Sequence, residues 1–158
     1  LLKDKKLGFI ADVVGSGKDI SFARQLSKEM SLQDIVNFCG YMPREDLFKY
    51  YFSSDFLILP SFSEGWPKVL SEAMACKCVP LTNDIPGVSQ IIRKFDCGVC
   101  LRLNDINEWV AKIVELAGDE SLWLKYANNG QYAAHHFTYE DILLNRLKEE
   151  VLNKKCAE

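Results

Sequence analysis

A chain of 158 residues is long enough for one domain with a hydrophobic core and short for two. With 48% hydrophobic and 26% charged residues it has the composition of a globular protein, not a disordered one. Its net charge of -3 argues against nucleic acid as the main partner, and no apolar run reaches the roughly 18 residues of a membrane-spanning helix.

The opening LLKDKKLGF lacks the apolar region and cleavage site of a signal peptide, and reads as the tail of a helix cut at its N-terminal edge. KLGFIADVVGSG, Lys6 to Gly17, is an apolar run ending in two glycines, which predicts a buried strand and a tight loop. ISFARQLSKEM follows, with Phe22, Leu26 and Met30 on one helical face. DIVNFCGYM predicts a second strand, stopped by Pro43. PREDLFKYYFSS begins a helix, with the proline near its first turn and acidic residues just behind it, as the helix dipole favours. DFLILPS is a third strand, PKVLSEAMACK a helix, CVPLTN a strand, GVSQIIRK a short helix and CGVCLRL a strand.

Alternating strands and helices, with the strands as apolar runs, predict parallel strands covered on both faces. The expected fold class is therefore α/β, a Rossmann-like doubly wound parallel sheet. From Asp105 onward the pattern changes to C-terminal helices: DINEWVAKIVELAGD, ESLWLKYANNGQYAAHH and TYEDILLNRLKEEVLNKK. Asp105 and Thr138 suit N-caps and Gly118 a helix stop. The whole of residues 1–158 reads as a single domain.

The six cysteines are Cys39, Cys76, Cys78, Cys97, Cys100 and Cys156. The pairs Cys76/Cys78 and Cys97/Cys100 have the short spacings that make zinc worth weighing. Each pair lies in or beside an apolar strand, so the expectation is buried thiols acting as small hydrophobes, with no metal. A reducing, cytoplasmic setting follows. His135 and His136 are adjacent on a helix and point in different directions, which suits surface or partly packed residues rather than joint ligation.

The stretch SFSEGWPKVLSEAMACKCVP raises the functional question, because it sets Glu72 among the apolar residues of a helix and Glu64 in the loop before it. In a doubly wound sheet ligands bind beyond the carboxyl ends of the strands, where this loop belongs. Gly65 lets backbone approach a ligand, and Pro67 fits a first helical turn whose free N–H groups attract anions. Lys68 in that turn opposes the dipole unless an anion sits nearby. A phosphate at the helix start, with Glu72 accepting from hydroxyls beside it, accounts for all these placements. Two other readings compete. Glu64 is a solvated loop residue and Glu72 pairs with Lys68 four residues away, or the two carboxylates flank a sugar bond as in a glycosidase, roughly 5–10 Å apart.

The pattern P-S-x-x-E-G-W-P-x-x-L-x-E-A-M-A-C over Pro60 to Cys76 resembles the E-x7-E signature of GT-B glycosyltransferases, most closely the large retaining family 4. The resemblance extends over VVGSG, VNFCGYMPREDLFKYYFSSDFLILPS, VPLTNDIPGVSQII, CGVCLRLND and HHFTYEDI, in the order that family shows. It implies the C-terminal, nucleotide-sugar-binding half of a GT-B fold. Glu72 would accept from ribose hydroxyls and Glu64 would face the donor sugar as the catalytic residue. Gly65, Trp66, Pro67 and Lys68 would lie near sugar and phosphate, Tyr41 and Met42 would meet the base, and Gly15 and Gly17 would line the cleft.

It further implies retaining transfer of a hexosyl unit from a nucleotide-diphosphate sugar to a glycan or lipid acceptor, without a cofactor or metal. The partners implied are an N-terminal GT-B acceptor domain and, for the full enzyme, a membrane surface touched peripherally. Two departures stand out. Pro86, Gly87 and Gln90 replace the family's Gly-Gly loop and glutamate. The family's diphosphate-gripping arginine and lysine belong to an earlier strand–helix unit, and Lys3, Lys5 and Lys6 do not match them. This chain is thus expected to be part of an enzyme and inactive alone. The competing classes are a non-catalytic nucleotide- or protein-binding module of the same fold, and a GT-B sugar epimerase.

Overall fold

The computed structural model describes residues 1, 2, 5, 7–63 and 67–136. Strand β1 (Ala11–Val14), helix α1 (Ile20–Glu29), β2 (Val36–Gly40), α2 (Arg44–Ser53), β3 (Phe56–Leu59) and α3 (Lys68–Ala75) make the first half. Then come β4 (Val79–Asn83), α4 (Val88–Phe95), β5 (Val99–Leu101), α5 (Ile106–Gly118) and α6 (Glu120–His135). Every strand read from the apolar runs is present, and every ladder is parallel. Among the described residues no helix is long and apolar enough to cross a membrane.

The described strands form two sheets. One joins β1 to β2, with Val13 opposite Phe38; the other has the order β3-β4-β5, with Ile58 opposite Leu81 and Leu81 opposite Val99. Among the described residues no ladder joins the two. The core gathers on the second sheet, where β4 is buried along its whole length. Neighbouring residues there serve opposite faces, as the strand period of two requires. Phe56 and Val99 pack with Leu81, Leu101, Trp109 and Leu116 on one face. Leu57 and Cys100 pack on the other with Leu70, Met74, Val88 and Ile92. Apolar runs were the right signal for such strands because helices cover both sides.

The helix ends follow local chemistry. Pro43 caps α2, with Glu45 and Asp46 in its first turn as the sequence suggested. The Asp105 carboxylate accepts from Glu108 N–H at 3.0 Å, and Gly118 closes α5. Asp119 caps α6 in the same way, accepting from Leu122 N–H at 2.9 Å, a cap that the sequence reading passed over. The third expected C-terminal helix and its Thr138 cap lie outside the described residues.

Helix α1 departs from a core helix. Its apolar positions Phe22 and Leu26, and Met30 just beyond it, are all exposed. Arg24 helps to fasten α1: its guanidinium donates to the Phe38 carbonyl at 3.1 Å and lies 4.9 Å from that ring's centroid.

Candidate functional site

The loops at the carboxyl ends of the strands bring several of the sequence-selected residues together. Gly15 ends β1 with φ +128°, a conformation that disfavours any side chain. Its N–H donates to the carbonyl of Gly40 at 2.8 Å, so the loops after β1 and β2 start side by side. Gly17 lies in the first of these loops, its carbonyl accepting from Ile20 N–H at 3.3 Å. Tyr41 and Met42 continue the second, Tyr41 being 80% exposed. Two residues on, α2 starts with Arg44.

Arg44 reaches Glu72. Its Nε donates to Glu72 Oε1 at 2.6 Å, across two helices, and the Tyr51 hydroxyl donates to Oε2 at 3.4 Å. The Arg44 side chain is 69% exposed and that of Glu72 only 9%. Glu72 therefore sits at the mouth of the seam between α2 and α3, with its own helix otherwise buried at Leu70, Ala73 and Met74. The alternative in which Glu72 pairs with Lys68 is corrected here. Lys68 is exposed at the helix start, while the carboxylate turns into the seam where Arg44 and Tyr51 meet it. Burial first, and then the charge of Glu72, push the Tyr51 hydroxyl up to about 12, so it stays a donor at neutral pH.

A buried carboxylate is a poor stabilising device, since desolvation offsets much of its attraction to a partner. A nearly buried carboxylate whose partner Arg44 opens to solvent, with lone pairs still unspent, is instead suited to accept from hydroxyl groups. Pro67 caps α3 and Lys68 is its first residue, which places both at the helix terminus beyond β3. Glu64, Gly65 and Trp66 lie outside the described residues. Ser61, the described residue three before Glu64, is anchored to the sheet. Asn83, at the end of β4, donates from its side-chain amide to the Ser61 carbonyl at 2.6 Å. Beyond that anchor lies an open cleft of about 530 Å³, between exposed Phe62 and the loops after β4 and β5. Gly87, with φ +92°, precedes α4 on this rim and follows Pro86 where a second glycine was expected.

Neither Arg44 nor Tyr51 was selected from the sequence. Arg44 is one charge among several at a helix start, and no local spacing links it to a carboxylate 28 residues away. The histidines match their expectation of partial packing: His136 stacks on Phe95 at 5.6 Å between centroids, and His135 ends α6 on the surface.

The cysteines fall in separate places. Cys76 and Cys78 pack with Tyr51 and Ala73, whereas Cys97 and Cys100 join the cluster of Leu70 and Met74. Among the described residues no group of three or more His, Cys, Asp or Glu side chains could hold a metal ion. Burial raises the Cys78 and Cys97 thiols to about 12 each. Both should therefore resist alkylation by iodoacetamide at pH 8 in the native protein and react once denatured, as peptide mapping would show. Because the unfolded thiols ionise near 9.0 and the folded ones near 12, the unfolded state sheds protons first. Stability must then fall as pH rises from 9 toward 12. Elemental analysis should find less than one zinc per chain, and a chelator should leave the melting temperature unchanged. A stoichiometric metal with chelator-sensitive folding would overturn the apolar role of these thiols.

The model of the family described as glycosyl transferases group 1 matches residues 1–135. The chain belongs to that family. A curated relative, an uncharacterized glycosyltransferase of Haemophilus influenzae, is 33% identical over 134 residues, covering 83% of this chain and 37% of its own length. Among solved structures, Anabaena HepE in complex with UDP-glucose superposes with a TM-score of 0.76 at 20% identity, over 92% of this chain and 41% of that one. The C-terminal domain of a group 1 family glycosyl transferase from Francisella tularensis gives 0.68 at 18% identity, over 86% of this chain and 90% of that domain. The fold is that of a GT-B glycosyltransferase, C-terminal half. This member of the family spans about a third of the length of the curated relative described above.

Proposed function

We propose that residues 1–158 form the donor-binding domain of a cytoplasmic, retaining glycosyltransferase that moves a hexosyl unit from a nucleotide-diphosphate sugar to a glycan or lipid acceptor. The observation that carries this reading is Glu72, a nearly buried carboxylate held in the α2–α3 seam by the exposed Arg44 and by Tyr51. In this reading Glu72 accepts from the ribose hydroxyls and the loop of Gly40, Tyr41 and Met42 meets the base. The N-terminal amides of α3, with Lys68, face the diphosphate. Gly15 and Gly17 border the cleft, and Gly65, Trp66 and Pro67 run past sugar and phosphate. Glu64 serves the donor sugar as the catalytic carboxylate.

The chemistry is electrostatic. The leaving diphosphate carries the developing charge, and helix-terminus amides stabilise it without a metal. Basic side chains that grip it, and the acceptor site, come from an N-terminal domain that closes over the donor and excludes water. Peripheral contact of the full enzyme with a membrane would bring a lipid acceptor within reach. The HepE complex supports the choice of ligand class, since a protein of this fold holds UDP-glucose.

A thermal-shift panel of UDP-, GDP- and ADP-sugars on the full-length protein tests the reading. A ligand at 100 times its dissociation constant should stabilise the fold by about 2.7 kcal/mol. No shift with any of the three would refute donor binding. The 158-residue piece purified alone should transfer no sugar to extracted acceptors when given radiolabelled donors. Turnover by that piece would show that the catalytic groups lie wholly within it.

A further inference from the structure

We infer that Arg44 is a positioning residue for Glu72, with Tyr51 as its second support, and that this pair sets preference for a ribose over a deoxyribose. The inference rests on the ribose reading of Glu72 given above.

An ionised carboxylate offers about four acceptor positions over its two oxygens. Among the described residues two donors divide them, Arg44 taking Oε1 at 2.6 Å and Tyr51 taking Oε2 at 3.4 Å. Each oxygen keeps capacity for one more donor. That matches a vicinal diol, which presents two hydroxyls to one carboxylate. The supports differ in strength. The arginine bond is short and charge-assisted, while the tyrosine bond is long and weak. A glutamate has rotatable bonds to lose, and the buried neighbours Leu70, Ala73 and Met74 offer it nothing polar. Arg44 is thus the main constraint on where the oxygens point. The arginine is itself steadied, its guanidinium lying 5.7 Å from the centroid of Phe48, one turn along α2.

A purely structural ion pair is the competing role. Arg44 is largely exposed, so removing it leaves no cavity, and its loss acts mainly on the orientation of the carboxylate. The two roles separate in the sugar that the site prefers.

The probe is whichever of UDP, GDP and ADP stabilises the full-length protein, paired with its 2′-deoxy counterpart, and affinities come from calorimetry. Arg44→Ala should weaken the ribonucleotide about tenfold and the deoxynucleotide no more than about twofold. Arg44→Lys should recover part of the loss, since lysine restores the charge but not the planar fork. Tyr51→Phe should cost less than Arg44→Ala. Equal weakening of both nucleotides by Arg44→Ala, or unchanged or tighter ribonucleotide binding, would overturn the inference. Glu72→Gln separates the two levels. If it abolishes the preference for ribose while Arg44→Ala retains it, only the positioning role falls. If the wild type has no such preference and Glu72→Gln binds normally, the ribose reading falls and this inference with it.

Discussion

Glu72→Ala lowers the affinity of the full-length protein for its nucleotide by about 1.5–3 kcal/mol, roughly ten- to a hundredfold, and leaves the fold intact. The two halves of this expectation have separate causes. The affinity loss comes from charge-assisted hydrogen bonds to two hydroxyls, which alanine cannot replace. Survival of the fold follows from the surroundings. Arg44 is mostly solvated and returns to water when its partner goes, so no buried charge is stranded. The buried Tyr51 hydroxyl loses a long 3.4 Å bond, at a cost of about 1 kcal/mol that a domain of this size withstands. Alanine also suits the interior of α3 better than glutamate does. Calorimetry and a melting curve on the same preparation decide both halves. Equal affinity would sink the ribose assignment, and collapse of the fold would mean that Glu72 is a structural anchor.

The doubly wound pattern could be read from the sequence because helices pack on both faces of the β3-β4-β5 sheet and bury β4 throughout, so these strands appear as apolar runs. Glu72 was visible for the opposite reason, as a carboxylate set among the apolar residues of a helix. Its partners were not visible. Spacing rules within one helix suggested Lys68, but the α2–α3 contact that brings Arg44 and Tyr51 to it is a tertiary fact. The same limit applies to α1. Its apolar stripe of Phe22, Leu26 and Met30 has the right period for a core face, yet all three are exposed in the folded chain. Periodicity reports which side of a helix is apolar, not whether anything covers it. Splitting of the strands into two sheets is likewise a matter of which edges meet, on which single strands are silent.

In the short segment CGVC the glycine between the cysteines carries the tighter constraint. Gly98 enters β5 against Pro80 of β4. A methyl group there would lie 2.4 Å from the Pro80 carbonyl oxygen and 2.8 Å from its Cγ. Neither atom can step aside easily. Val79 N–H donates toward β3, to Asp55 O at 2.9 Å, so the polar groups of the next residue face β5. Proline lacks an N–H, and the β4–β5 ladder begins only at Leu81 opposite Val99, so no donor is missed. The proline ring fixes its own φ, and Pro80 is fully buried between covered faces. Gly98→Ala must therefore push two backbones apart. Overpacking ordinarily costs about 1–3 kcal/mol, and a clash with backbone belongs at the upper end or beyond. Against a total of about 5–15 kcal/mol, that is a large share of the stability. The melting temperature should drop by roughly 6–12 °C, at about 2–4 °C per kcal/mol for a domain of this size. Gly118→Ala is the matched control, since nothing lies within 4 Å of its added methyl group. It should melt roughly 1–4 °C above the wild type, because an unstrained alanine in place of glycine mainly restricts the unfolded chain. If Gly98→Ala melts with the control, the close approach of β5 to Pro80 is wrong, and the glycine tolerates a side chain that this packing forbids.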